Sequence, residues 1–126
     1  MSPADVTAIK NELSQFTGTE GYHRGLTALY TDGIVWVAEK LGCWWLFDDS
    51  AAYIHGYEKT DQFAVLRLTI NDDESFIVEL GDGNDIWRKH FASSFTGFPK
   101  KLTPFEFYAQ WSPEMSAWIF MLKSEY

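Results

Sequence analysis

The chain is poor in the residues that staple a protein, insert it in a membrane or load it onto phosphate. It has 126 residues, of which one is cysteine and four are proline. Cys43 alone cannot close an internal disulfide, and without a CxxC or a Cys/His cluster no structural metal site is legible. Stability then has to come from packing, and a reducing cytosol is the expected compartment. Basic residues are scarce: 10 Lys and Arg face 18 Asp and Glu, a formal charge of −8 at pH 7 with a pI of 4.7. With no basic tract to displace counterions from phosphates, composition argues against nucleic-acid binding as the main activity and against an anionic membrane surface. The longest apolar runs, Ile34–Ala38 and Ala117–Leu122, fall far short of the ~20 residues of a membrane span. Met1–Asp5 has neither the basic nor the apolar region of a signal peptide. G-x-x-x-x-G-K-[ST], G-x-G-x-x-G, H-E-x-x-H and G-x-S-x-G do not occur, so the large enzyme classes with short signatures lose ground. No repeat, low-complexity tract or linker divides the sequence, and 1–126 reads as one domain.

What the chain has is apolar and aromatic mass. Hydrophobic residues make up 46% and aromatics 17%, including 6 Trp and 10 Phe, enough to bury a core and more aromatic than a helical bundle of this length needs. Val6, Ile9, Leu13 and Phe16 recur at helical spacing behind Ser2 and Pro3, which predicts an opening helix that ends near Thr17-Gly18 and lies across a sheet. Thr19–Tyr30 reads as an irregular or weakly extended connection, and Thr31-Asp32-Gly33 as a turn. Ile34, Val37, Ala38 and Leu41 before Gly42 predict a short helix with a glycine stop. A second helix is expected from Cys43 or Trp44 to His55, with a start at Asp48-Asp49-Ser50 equally compatible with the pattern.

From Phe63 the period becomes two. Ala64, Leu66, Leu68 and Ile70 fall on one face of a strand over 63–70, a turn follows at 71–74, and Phe76, Val78 and Leu80 point inward from the partner strand. Gly81–Asn84 turns the chain into a third strand at 85–91, then come Phe105–Ala109 and, after Ser112-Pro113-Glu114, the apolar Ala117–Leu122, which belongs inside a sheet. The fold class is α+β: two or three N-terminal helices packed on an antiparallel sheet of about five strands.

Residues with chemical potential are dispersed. His23, His55 and His90 have no metal-ligand spacing, and each reads first as an ordinary surface or strand histidine. Cys43 reads as a packing residue beside Trp44 and Trp45. Asp82-Gly83-Asn84-Asp85 lacks the ligand order of a calcium loop and reads as a hairpin turn. No catalytic residue, metal or cofactor is assigned. Three acidic groups, Asp48 with Asp49, Asp72-Asp73-Glu74, and Asp82 with Asp85, are candidates for contacting a partner in the manner of a phosphate track; the plainer account is solvated turns that keep an aromatic protein soluble. The turns at 71–74 and 81–84 flank one strand and so stand roughly 20 Å apart. Trp44, Trp45, Trp87, Trp111 and Trp118 with Phe107 and Tyr108 exceed what a small core absorbs, so some are expected on a contact surface, with Trp87 and Trp111 the candidate anchors. A sheet with helices on one face and a partner on the other, a second copy included, follows. The polar alternative is Glu20, Tyr22, His23, Arg24 and Asp32, a set able to supply an acid/base, a cation and a hydroxyl to a ligand or substrate.

Taken as strings, Phe16-Thr17-Gly18-Thr19-Glu20, Tyr22-His23-Arg24, Tyr30-Thr31-Asp32-Gly33, Ala38-Glu39, Gly42-Cys43-Trp44-Trp45-Leu46, Gly81–Asp85, Thr96–Pro99 and Leu122–Tyr126 resemble a family of small proteins of unknown function carried by bacterial plasmids, phages and other mobile elements. The sequence departs from that pattern at Trp44, at Gly97 and before Ser124. The resemblance carries no activity, but implies a setting: a small acidic protein in a bacterial host cytosol. Elements of that kind commonly encode inhibitors of host defence, anti-CRISPR and anti-restriction proteins among them. The leading expectation is a stoichiometric protein-binding inhibitor whose partner is a nucleic-acid-binding defence complex. A small enzyme or ligand-binding protein with a site around 20–32, and a structural accessory of the element, are the alternatives.

Overall fold

The computed structural model describes residues 3–25, 27–73, 75–82, 87–93 and 98–126, with backbone alone considered at Pro3 and 87–93. Helix α1 spans Pro3–Leu13, strand β1 His23–Arg24, β2 Ala28–Tyr30, helix α2 Asp32–Leu41 and α3 Trp44–Ile54. Strands β3 (Phe63–Ile70), β4 (Phe76–Gly81), β5 (Trp87–Ser93), β6 (Phe105–Ser112) and β7 (Ala117–Leu122) follow. One sheet holds all seven, in the order β1-β2-β7-β6-β3-β4-β5.

The α+β class predicted from periodicity is the one found, and in the hairpin β3–β4 the inward residues share one face as expected, with Leu68 opposite Val78 and Ile70 opposite Phe76, although a four-residue turn at 71–74 would have set Ile70 opposite Ser75. Two other things differ. The connection 19–30 contributes β1 and β2, so the sheet has seven strands among the described residues where about five were expected. It is also mixed, because β2 runs parallel to β7, pairing Ala28 with Trp118 and Tyr30 with Phe120. Strands of two and three residues are too short to show a period of two. Their extended shape is imposed by the neighbour they pair with.

Local chemistry sets the helix boundaries. α1 buries Val6 and Ile9, then stops four residues before the predicted end. There the N–H groups of Gln15 and Phe16 reach back only three residues, to Glu12 and Leu13, in a tightened last turn. Phe16 nevertheless packs on the core, its ring 5.8 Å from that of Trp36 on α2. Thr31-Asp32-Gly33 is the N-terminus of α2 and not a free turn. Gly42 ends α2 in the left-handed region at φ 61°, and the Cys43 N–H bonds Ala38 O at 3.0 Å, a closure that a side chain at that φ would strain. α3 runs unbroken through Asp48-Asp49-Ser50, because Leu46, Phe47, Ser50, Ala51 and Ile54 form one buried stripe that a start at Asp48 would cut.

All three helices pack on the sheet face that bears Ala64, Leu66, Leu68, Phe76, Val78, Leu80, Phe107 and Phe120. Aromatic rings fill this layer: Phe47 meets Phe107 edge-on at 5.0 Å, Phe107 meets Phe120 at 5.5 Å, and Tyr30 lies against Phe47 and Phe120. β7 is the apolar strand that was expected inside the sheet, and it lies between β2 and β6.

Candidate functional site

Alternation along the strands leaves a second sheet face to which, among the described residues, no helix contributes. Val65, Ile119 and Met121 are buried there yet stand apart from the main core cluster. They are shielded by half-buried Phe63 and Tyr108 and by Tyr126, which is 71% exposed, in a cluster whose ring centroids are 5.2–5.3 Å apart. Gln110, opposite both Ile119 and Phe63, is exposed on the same face.

One row of this face is charged. Register places Arg67 of β3 opposite Glu79 of β4 on one side and Glu106 of β6 on the other. Lys123, one residue beyond the Leu122–Phe107 pair, bonds Glu106 with its Nζ 3.0 Å from Oε1, and Arg67 Nη2 donates to Glu79 Oε1 at 3.2 Å. From Lys123, just past the end of β7, across β6 and β3 to β4 the order is therefore Lys, Glu, Arg, Glu, four members that alternate in sign and sum to neutral; backbone register continues the row to His90 of β5, opposite Glu79. The bond from Glu106 raises the Lys123 pKa above its ordinary value, against a smaller opposing effect of burial.

The acidic candidates lie elsewhere and differ among themselves. Asp48, half-buried on α3, accepts a hydrogen bond from the buried Tyr30 hydroxyl at 2.7 Å, and is committed to the core. Its neighbour Asp49 is exposed. In the β3–β4 turn Asp73 accepts from the Ser75 hydroxyl at 2.5 Å and from the Ser75 N–H at 3.0 Å, while Asp72 pairs with Lys100, and these bonds hold both carboxyl groups below their ordinary pKa. Both remain exposed. Asp82 follows β4 at its other end, half-buried. Glu74 and Asp85, and the Trp87 side chain, lie outside the described residues; the Trp87 backbone opens β5 opposite Gly81. Trp111 faces the helix layer, meeting Trp118 edge-on at 5.7 Å, and Trp118 is almost wholly buried with its indole N–H on Glu58 Oε1 at 3.2 Å. Among the described residues most aromatic side chains are thus buried or half-buried; Trp44, Tyr22 and Tyr126 are exposed.

The polar set at 20–32 is partly gathered. His23 Nε2 is 2.7 Å from Asp32 Oδ1, and the Glu20 N–H donates to Asp32 Oδ2 at 3.0 Å. The Asp32 N–H donates to Thr19 Oγ1 at 3.0 Å. The bond from the Glu20 backbone, then that from His23, lowers the Asp32 pKa. Tyr22 is exposed. Arg24 points the other way from His23 along β1 and lines an open cleft of about 400 Å³ with Gly25, Thr27, Leu29, Met115 and Ser116, which neither His23 nor Asp32 reaches. Among the described residues no group of three or more His, Cys, Asp or Glu is placed to hold a metal, and no helix is long and apolar enough to cross a membrane.

Sequence reasoning missed two participants. Glu125 accepts from Thr31 Oγ1 at 2.6 Å and from the N–H groups of Leu122 and Gly33 at 2.9 and 3.1 Å, so its carboxylate closes the N-terminus of α2 where Thr31 makes no cap of its own. A Cβ on Gly33 would sit 2.5 Å from that carboxylate. The charged row was the other omission. Arg67 meets Glu79 because Ile70 pairs with Phe76, one residue past the partner that a turn at 71–74 implies, and nothing local places β3 beside β6.

A sequence-family model described as "Family of unknown function (DUF6876)" matches residues 7–126. No curated protein and no solved structure matches the chain.

Proposed function

The chain belongs to DUF6876, a family of unknown function, and from that premise we propose that it works by binding protein rather than by catalysing a reaction. The observation that carries this reading is the open sheet face: an aromatic and aliphatic patch around Phe63, Tyr108 and Tyr126, crossed by a charged row and lying apart from the core beneath the helices. Large amphipathic rings beside satisfied charges are the chemistry of contact surfaces. In its finer form the proposal is a stoichiometric inhibitor of a host defence system, of the anti-CRISPR or anti-restriction kind, carried by a plasmid, phage or similar element and acting in the host cytosol. The resemblance noted above and the −8 charge support that form. Asp72 and Asp73, exposed and held by their own bonds, are the acids best placed to meet a basic, nucleic-acid-binding surface.

The test is capture from a bacterial host lysate by the tagged protein, repeated with Asp72→Lys and Asp73→Lys. Recovery of a nucleic-acid-handling protein, lost on charge reversal, is expected. Equal recovery by the reversed variant would sink the acidic-mimicry form and leave the sheet face as the binding element. The His23–Asp32 pair favours the enzyme or ligand-binding alternative. Against it, the Arg24 cleft does not include the pair, and the second oxygen of Asp32 already accepts from Glu20.

A further inference from the structure

We propose that the open sheet face is occupied by a second copy of this chain, related by a two-fold axis that runs along the strands between β6 and β3. The inference rests on the reading that this face binds protein, and names the occupant.

Charge order across the sheet singles out this occupant. A two-fold axis lying in an interface reverses left and right, so each row of one sheet meets its own mirror order in the other. The row Lys123, Glu106, Arg67, Glu79 reads plus, minus, plus, minus from β7 to β4. Reversed, it reads minus, plus, minus, plus. Placed about an axis between its two middle members, every cation meets an anion: Glu106 faces Arg67 of the second copy, Arg67 faces its Glu106, and Lys123 and Glu79 meet likewise. Four consecutive members of alternating sign have this property about an axis at their centre, and a run of one sign does not; His90, next in the row on β5, falls outside the four that face one another.

Packing agrees with the same axis. In the neighbouring row Tyr108 of β6 stands beside Val65 of β3, so reversal sets the larger side chain of each copy over the smaller one of the other. The whole-chain charge of −8 opposes self-association in general, and this row is a part of the surface where that charge cancels. At ~4.8 Å between strands and ~3.3 Å per residue, β2 to β4 along the length of β3 spans roughly 20 by 26 Å, which with side-chain relief is the right scale for the ~800 Å² that a standard interface takes from each partner. The β3–β4 turn, with Asp72 and Asp73, lies beyond the ends of the strands and stays available to a foreign partner.

Complementation tests this. Arg67→Glu alone sets like charges against Glu106 of the second copy, and Glu106→Arg alone sets like charges against its Arg67. Analytical ultracentrifugation is expected to show a dimer for the wild type, self-association weakened about tenfold or more in each variant, and a restored dimer when the two variants are mixed. A strictly monomeric wild type at all concentrations overturns the proposal, as does a mixture that stays monomeric or a variant that dimerises as before. Should either reversal fail to fold by circular dichroism, Gln110→Arg supplies a second route, since it adds bulk and charge at an exposed position of the same face, and an unaltered dimer there also overturns the proposal. Lysate capture separates this from the broader reading. A monomer that captures a foreign protein through the same face, sensitive to Gln110→Arg, removes the second copy but keeps the protein-binding role. A monomer that captures nothing removes both.

Discussion

At the scale of single residues, the groups with the largest shifts are buried and serve the core. Burial pushes the Cys43 thiol up to about 12, which makes it a packing residue and a poor nucleophile. Burial, with the bond to Asp48 second, raises the Tyr30 hydroxyl far above its usual range. A group held protonated by the fold contributes stability that is complete below its unfolded pKa, ~10 for tyrosine, and is lost as pH rises beyond it. Tyr30→Phe should therefore cost about 1–2 kcal/mol at pH 7, and should flatten the fall of stability above pH ~10 while leaving the part due to Cys43, which sets in nearer ~8.5. Urea titrations across alkaline pH measure both. An equally steep alkaline limb in the variant would show that the Tyr30 hydroxyl is not the group responsible.

Among elements, α2 is the junction. Its N-terminus receives Thr19, Glu20 and His23 through Asp32, and Glu125 through Thr31 and Gly33, so several of the residues that carry the family resemblance meet at one helix end. A carboxylate beside the positive end of a helix is favourable in itself, and here it also accepts from donors that α2 would otherwise leave open. Glu125→Ala is expected to destabilise by about 2 kcal/mol, and Glu125→Gln, which keeps an acceptor and loses the charge, by about 1. The urea midpoint with an unchanged slope is the readout, and an unaffected midpoint in the alanine variant would refute the capping role. The acidic side of the same node has a pH signature of opposite sign to that of Tyr30. Asp32 has a lowered folded pKa, so its contribution is present above ~4 and fades as pH falls below that.

For the whole molecule the question is where −8 resides and what it does. Two contacts are proposed, and salt separates them. Copies that each carry −8 repel over a Debye length of ~30 Å at 0.01 M ionic strength and ~8 Å at 0.15 M. Moderate salt should therefore strengthen self-association through the neutral row, while weakening any complex formed between the acidic turns and a basic partner. Sedimentation and pull-down at the two ionic strengths check this, and a dimer that dissociates steadily as salt rises would contradict the first half. Much of the fold was legible because it is local: the period of three to four in α2, the period of two in β3 and β4, the glycine stop at Gly42 and the apolar run of β7 are each set by neighbours a few residues apart. The candidate site was less so. That an open face would carry aromatics followed from alternation and composition, but Trp111 turns inward, and Tyr126 and the charged row come forward in its place. Thr31 and Glu125 are 94 residues apart in sequence, and the row exists only where β3 lies beside β6. By itself the sequence determined the class, the faces and the hairpins, because steric and hydrophobic preferences act over a turn or a strand. Tertiary structure alone decided the parallel β2–β7 pairing, the carboxylate that closes α2 and the order of charges across the sheet, because each joins groups whose meeting depends on how the entire chain shares one core.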